Sequence, residues 1–231
     1  MTMKPTHSIE IKELLSFADR RFKSEKGSFL FQEGMVAEEL YIIISGKVQI
    51  SKITSDGREL SLRICGENDI CGELTLFTDN PRYLLSALVL EEGEIVAIKK
   101  DILESEIFRN SKLAFEFMKW MSDHFRKTQT KFRDLVLNGK RGALFSTLIR
   151  MSNSYGIQKK DNGILIDLPL TNQELANFCG TSRESTNRIL SELKKDKIIS
   201  VKKGKISILD LQYLKSEIDC ENCSAVYCSI E

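Results

Sequence analysis

The sequence predicts an α+β fold: a strand-rich N-terminal β-roll, one long helix, and a helix-turn-helix in the C-terminal third. Three observations carry this. Residues 27–98 read as short apolar strands punctuated by glycine. From Ser111 the pattern becomes helical, with apolar residues spaced 4, 3, 4, 3, 4, 3 apart. Thr171-Asn172-Gln173-Glu174 then opens two short helices separated at Gly180.

Along the N-terminal part, Tyr41–Ile44 and Val48–Ile53 flank Ser45-Gly46 as an expected hairpin. Ile53 and Leu60–Ile64 flank Ser55-Asp56-Gly57 as another, and Leu84–Leu90 and Ile95–Ile98 flank Glu91-Glu92-Gly93. Strands at this spacing suit a β-roll or small barrel.

Ala114, Met118, Met121, Phe125, Thr128, Phe132 and Leu135 then form an a/d seam. Leu113, Phe117, Trp120 and His124 make a second stripe beside it. One stripe is expected to pack on the roll and the other to meet a second copy of the helix, giving a homodimer. Asn138-Gly139 stops this helix, and residues 140–155 read as an amphipathic helix with Ala143, Leu144, Leu148, Ile149 and Met151 on its apolar face. Leu165–Leu170 reads as extended, and Ile198–Val201 and Lys205–Leu209 as a small hairpin.

Charge is unevenly placed. The chain of 231 residues has a net charge of +1, yet Gly139–Lys205 holds 13 Lys and Arg against 6 Asp and Glu. Such a segment faces either a polyanion or plain solvent. No apolar run is long enough to span a bilayer, and the first twenty residues lack the apolar core of a signal peptide. No membrane partner and a cytoplasmic location are therefore expected. No Ser-His pair or phosphate loop accompanies the two histidines, so no enzyme is expected.

The helix pair at 171–194 is the first candidate site. Thr171 and Glu174 make a capping box, and Ser182 caps a second helix opening at Arg183. Recognition helices read bases with their N-terminal residues, which singles out Arg183, Glu184, Asn187 and Arg188. Arginine matches guanine O6 and N7, and glutamate accepts from cytosine N4. Taken by themselves, the same charges fit surface helix ion pairs equally well. Thr181, Ser185 and the lysines after Leu193 are placed near phosphates or solvent, and Thr171 and Ser182 join the DNA-binding candidates.

The tail is the second. Cys220, Cys223 and Cys228 have the spacing C-x2-C-x4-C, within the last twelve residues. Thiolates so spaced wrap one soft metal or cluster, and three of them leave a fourth ligand to come from elsewhere. Spacing alone does not separate zinc from iron–sulfur, nor either from an idle tail. Cys65, Cys71 and Cys179 read as buried, inert thiols.

Taken together, Thr171, Leu175-Ala176, Gly180, Ser182-Arg183-Glu184-Ser185, Arg188 and Leu190 resemble the signature of the Crp/Fnr family of bacterial regulators. The resemblance runs over almost the whole chain. It implies a cyclic-nucleotide-binding-like jelly roll at 1–108 and a dimerisation helix at 109–138. It also implies a winged helix-turn-helix at 139–212 and a cluster-binding tail at 213–231. Arg183 and Arg188 would take guanines and Glu184 a cytosine in a TGTGA-like half-site. A homodimer would thus meet a palindrome in double-stranded DNA, with RNA polymerase as a further partner.

The family's nucleotide cassette begins at Gly72-Glu73-Leu74, but Leu85-Ser86-Ala87 has leucine where the phosphate-binding arginine belongs. That loses the strongest anion contact, so no cyclic-nucleotide site is expected.

The blocks Glu39-Leu40-Tyr41, Gly72–Thr78, Phe115–Ser122, Gly142–Gly156 and the tail resemble the Bacillus branch of anaerobic regulators in that family. This branch carries a C-terminal three-cysteine motif and a 4Fe-4S cluster. The resemblance makes Asp134 the fourth ligand beside Cys220, Cys223 and Cys228; by itself Asp134 reads as an exposed carboxylate paired with Lys131 or Lys127. Asp123, His124, Asp219 and Glu221 are lesser candidates. The expected switch ties the tail to the long helix when oxygen is scarce and frees it when oxygen destroys the cluster. The alternative is a Crp-like regulator gated by another ligand, with a zinc-binding or idle tail.

Overall fold

The computed structural model describes residues 11–159 and 163–230. The start of the expected first domain and Glu231 lie outside them. Two compact units divide at Asp123 and His124, within one long helix. The fold class is as predicted.

The N-terminal unit opens with α1 (Ile11–Leu15), followed by eight strands: β1 (Arg20–Ser24), β2 (Phe29–Phe31), β3 (Glu39–Ile43), β4 (Lys47–Ile53), β5 (Glu59–Cys65), β6 (Ile70–Cys71), β7 (Ser86–Glu91) and β8 (Gly93–Lys99). They form two antiparallel sheets, ordered β1-β8-β3-β6 and β2-β7-β4-β5. Side chains alternate between two cores. Tyr41, Ile43, Ile95 and Ala97 face Val48, Ile50, Ala87 and Val89 between the sheets. Leu40, Ile42, Val96 and Ile98 pack outward against α2 (Lys100–Arg109) and the first part of α3 (Ser111–Leu137). A strand buried on both faces reads as a continuous apolar run, as Leu40–Ile44 does.

The Ser55-Asp56-Gly57 hairpin is present, joining β4 to β5. The other two expected hairpins are not. β3 pairs with β8 and β6, while β4 pairs with β5 and β7. At Ser45-Gly46 and at Glu92 the chain crosses from one sheet to the other. The two corners pass so closely that a Cβ on Gly46 would stand 2.6 Å from the Glu91 carbonyl oxygen, and one on Gly93 1.9 Å from that of Ser45. Glycine is there for close approach and not for a two-residue turn.

Of the two stripes on α3, Leu113, Phe117 and Trp120 are buried with the β-roll's outer core. Met118, Phe125 and Phe132 of the seam are exposed.

The C-terminal unit comprises the rest of α3, then α4 (Gly139–Tyr155), β9 (Gly156–Gln158), β10 (Ile164–Ile166), α5 (Asn172–Phe178), α6 (Arg183–Lys195), β11 (Ile199–Lys202), β12 (Lys205–Ile208) and α7 (Leu211–Ser216). The strands form one sheet ordered β11-β12-β10-β9. β11 and β12 make the expected hairpin, turning at Lys203 and Gly204 with positive φ. α4 departs from expectation: it is buried all round, from Gly142 through Ser152. It is the central helix of the unit, not a surface one.

Two polar groups in this core have measurable consequences. The Thr186 hydroxyl on α6 is fully buried and has no hydrogen-bond partner among the described residues. Thr186→Val keeps the shape and removes the unmet polar group, so it should raise stability by about 1 kcal/mol in urea unfolding.

Lys131 is buried against the ring of Phe178, 5.1 Å from its centroid. Burial pushes its ammonium down to about 7, with Cys179 drawing it up and Arg150 pushing it further down. Unfolded Lys131 holds its proton to about pH 10.4. The unfolded chain therefore binds more protons above pH 7, and stability should rise from pH 7 to about 8. Above that, burial of Cys179, whose thiol is pushed up to about 11, opposes the trend. Lys131→Met should flatten the rise.

Candidate functional site

The first site is built by two helix caps. Thr171 Oγ1 accepts from the Glu174 N–H at 3.2 Å, and the Glu174 carboxylate accepts from the Thr171 N–H at 2.6 Å. α5 ends at Gly180, whose φ of +58° reverses the chain. Ser182 Oγ then accepts from the Ser185 N–H at 3.2 Å and starts α6. Ile189, Leu190 and Leu193 are buried and fix the helix on the unit. The opposite face of its first turn is left outward.

There the structure presents Arg183, Glu184 and Arg188 as exposed side chains. Among the described residues neither arginine makes an ion pair within 4.0 Å, although Arg183 attracts the neighbouring Glu184 carboxylate. The Glu184 carboxyl is held below its usual range, first by its own backbone N–H and then by Ser182. Asn187 is different. It is half-buried, and its side-chain oxygen accepts from Asn172 Nδ2, which ties α6 to α5. Thr171 and Ser182 serve as helix caps.

The second site lies between α3, α4 and the chain after α7. A cavity of about 180 Å³ has Asp134, Ser146, Cys220, Cys223 and Cys228 in its lining, together with Arg133 and Glu221. All four expected ligands thus share one cavity. Among the described residues, no three His, Cys, Asp or Glu side chains are already drawn into a metal-holding group. Asp219 and Asn222 adopt positive φ, a conformation these residues tolerate, and bend the chain around Cys220 and Cys223. Of the lesser candidates, Asp219 and Glu221 line the cavity.

Asp134 is not the exposed carboxylate paired with lysine that its sequence neighbourhood suggests. It is 5% exposed. Oδ1 accepts from Arg133 Nε at 3.1 Å and Nη2 at 2.9 Å; Oδ2 accepts from Ser146 Oγ at 2.6 Å and Arg150 Nη2 at 2.7 Å. Burial alone pushes this carboxyl up, but the bonds from Ser146, Arg150 and Arg133 outweigh it and hold it below the usual carboxylate value. Burial pushes the Cys228 thiol up to about 11, against the pull of Arg150.

Arg150, Ser146 and Arg133 were not singled out from sequence. The available signal was Arg150 itself, a lone charge within Leu148-Ile149-Arg150-Met151 on a helix of apolar residues. The β-roll shows a second buried pair: Arg63 Nη2 bonds both Glu73 oxygens, at 3.1 and 3.0 Å. Leu85 is half-buried against the inter-sheet core. Cys65, Cys71 and Cys179 are buried free thiols.

A winged helix-turn-helix with exposed arginines on the outer face of its second helix defines a DNA-binding regulator. Residues 21–110 match the family described as cyclic nucleotide-binding domain, and residues 143–217 the Crp-like helix-turn-helix domain. The chain belongs to the Crp/Fnr family of transcription regulators. It is 56% identical over 225 residues to the "Anaerobic regulatory protein" of Bacillus subtilis, covering 97% of this chain and 94% of that protein. It is 32% identical over 167 residues to a "CRP-like cAMP-activated global transcriptional regulator" of Mycobacterium tuberculosis, covering 72% of this chain and 74% of the other. Among solved structures, the c-di-GMP-responsive regulator CLP of Xanthomonas campestris shares the fold. Its TM-score is 0.75 at 24% identity, over 86% of this chain and 97% of that one. No helix among the described residues is long and apolar enough to cross a membrane.

Asp134→Ala should destabilise the protein by about 3–5 kcal/mol, because it strands Arg150 as a buried, uncompensated charge. Asp134→Asn, which keeps an acceptor, should cost less. Chemical denaturation of both variants under iron-free conditions checks the order.

Proposed function

We propose that this chain is an oxygen-responsive regulator of anaerobic genes. In this reading it binds a TGTGA-like palindrome as a homodimer and holds a 4Fe-4S cluster through Cys220, Cys223, Cys228 and Asp134. The observation that carries the reading is the cavity: three thiols from the tail and one carboxylate from α3 line the same space. The similarity to a Bacillus protein named for anaerobic regulation supports it. Soft thiolates suit iron–sulfur, and the harder carboxylate makes a more labile fourth ligand. When bound, such a cluster supplies an oxygen-labile redox centre.

The residues present fit that group on one condition. A carboxylate offers about four lone-pair positions, and Asp134 already receives four hydrogen bonds. One donor must yield before Asp134 ligates anything. Arg133 is the one placed to do so. Its side chain is 34% exposed, against 1% for Arg150, and its Nη1 already bonds Glu221 at 2.5 Å. Arg150 and Ser146 would keep the other oxygen.

The exposed apolar seam of α3, with Phe125 and Phe132, is the surface on which a second copy would pack. The first turn of α6 would then read the major groove, with Arg183 and Arg188 on guanines and Glu184 on cytosine. Two-fold symmetry of the dimer would match a palindrome, and RNA polymerase would be the partner recruited at the promoter. The Arg63–Glu73 pair and Leu85 weigh against cyclic nucleotide as the trigger.

Arg188→Ala should lower affinity for a TGTGA-type palindrome by about 10–100-fold in a fluorescence-anisotropy titration, with little change on scrambled DNA. Equal loss on both sequences would remove Arg188 from base reading. Anaerobic reconstitution with ferrous iron and sulfide should give visible thiolate–iron absorbance, lost in Cys223→Ser and on exposure to air. Removing the iron with a chelator should weaken specific DNA binding. Colourless protein holding stoichiometric zinc, or no metal at all, would overturn the cluster reading in favour of a different trigger.

A further inference from the structure

The tail has its own seat on the protein, and one residue joins that seat to Asp134. Arg150 lies in the middle of α4 with its side chain 1% exposed. Nη2 holds Asp134 Oδ2 at 2.7 Å, Nη1 donates to the Tyr227 carbonyl at 3.1 Å, and Nε reaches Ser146 Oγ at 3.3 Å. A guanidinium offers five N–H groups in a fixed planar fork, so these contacts fix the carboxylate and the tail backbone relative to one another. Neighbouring contacts extend the seat. Asn153 Nδ2 donates to the Cys228 carbonyl at 2.6 Å, Thr130 Oγ1 to that of Tyr227 at 3.3 Å, and the Ile230 N–H bonds Ser154 Oγ at 3.0 Å. Arg126 lies over the Tyr227 ring, 5.6 Å from its centroid. Cys228 and Ile230 are buried there.

Every one of these bonds joins protein to protein. We propose that Arg150 is the positioning residue of the tail site: it clamps the Tyr227–Cys228 backbone to Asp134, so that Cys228 and the carboxylate face the same cavity whatever fills it. The tail is then a built part of the DNA-binding unit, and a change at the cavity acts by shifting Asp134, Arg133 and the Cys220–Cys223 turn, not by releasing a free end. The carboxylate's role as a ligand rests on the function proposed above; the clamp itself does not.

The test uses the full-length, iron-free protein, so its result stands apart from whether a cluster forms. Hydrogen exchange read over peptides covering residues 224–230 reports the seat, because the Ile230 N–H bonds Ser154 of α4 and the Tyr227 and Cys228 N–H groups bond the Ser224 carbonyl in the turn that the seat holds. In the unsubstituted chain this segment should be protected. Arg150→Met should speed its exchange at least about tenfold, with the helix content of the chain preserved. Arg150→Lys keeps the charge but not the fork, and should restore part of the protection. Asn153→Ala, which removes one tail contact and leaves Arg150 in place, should have a smaller effect. Unprotected tail amides in the unsubstituted protein would overturn the proposal without any variant. So would unchanged protection in a folded Arg150→Met, or equal effects of Arg150→Met and Asn153→Ala.

Discussion

A full charge on the inside of a small helical unit stays there only with a partner, and Arg150 and Asp134 meet that requirement for one another. Arg150 comes from the most buried helix of the C-terminal unit and Asp134 from the last turns of α3. Their contact at 2.7 Å ties the two helices, and the remaining guanidinium nitrogens reach Ser146 and the tail. Such pairs add little net stability over an apolar substitute, because desolvation offsets most of the attraction. What they add is direction. The carboxylate oxygens are turned to fixed donors, and the tail backbone is set where its thiols line the same cavity.

The DNA-facing part depends on a separate set of small constraints. Thr171 and Ser182 saturate the first N–H groups of α5 and α6, and Gly180 takes the left-handed turn between them. Buried Ile189, Leu190 and Leu193 fix the helix so that its first turn faces outward. The arginines on that face are exposed and make no ion pair within 4.0 Å among the described residues, which leaves their bidentate donors turned outward. Asn187 pairs with Asn172 and so holds the helix pair together.

The β-roll illustrates how local patterns mislead about pairing. Ser45-Gly46 and Glu91-Glu92-Gly93 look like hairpin turns, since glycine and polar residues separate apolar runs. The runs on either side belong to different sheets. The glycines are needed because two corners cross within 3 Å of where a Cβ would stand. Turn chemistry is local and visible; which strand lies alongside is a long-range matter that the residues at the turn do not encode.

From sequence alone, the α+β class, the long helix with its two stripes, the caps of the helix-turn-helix and the C-x2-C-x4-C spacing were all determined. Each rests on periodicity or on contacts within a few residues, which the chain carries wherever it folds. The burial of Asp134, the clamp by Arg150 and the convergence of residues 134, 146, 150 and 220–228 were decided only in three dimensions. They join segments up to about ninety residues apart, and a carboxylate on a helix looks alike in sequence whether water or two arginines face it.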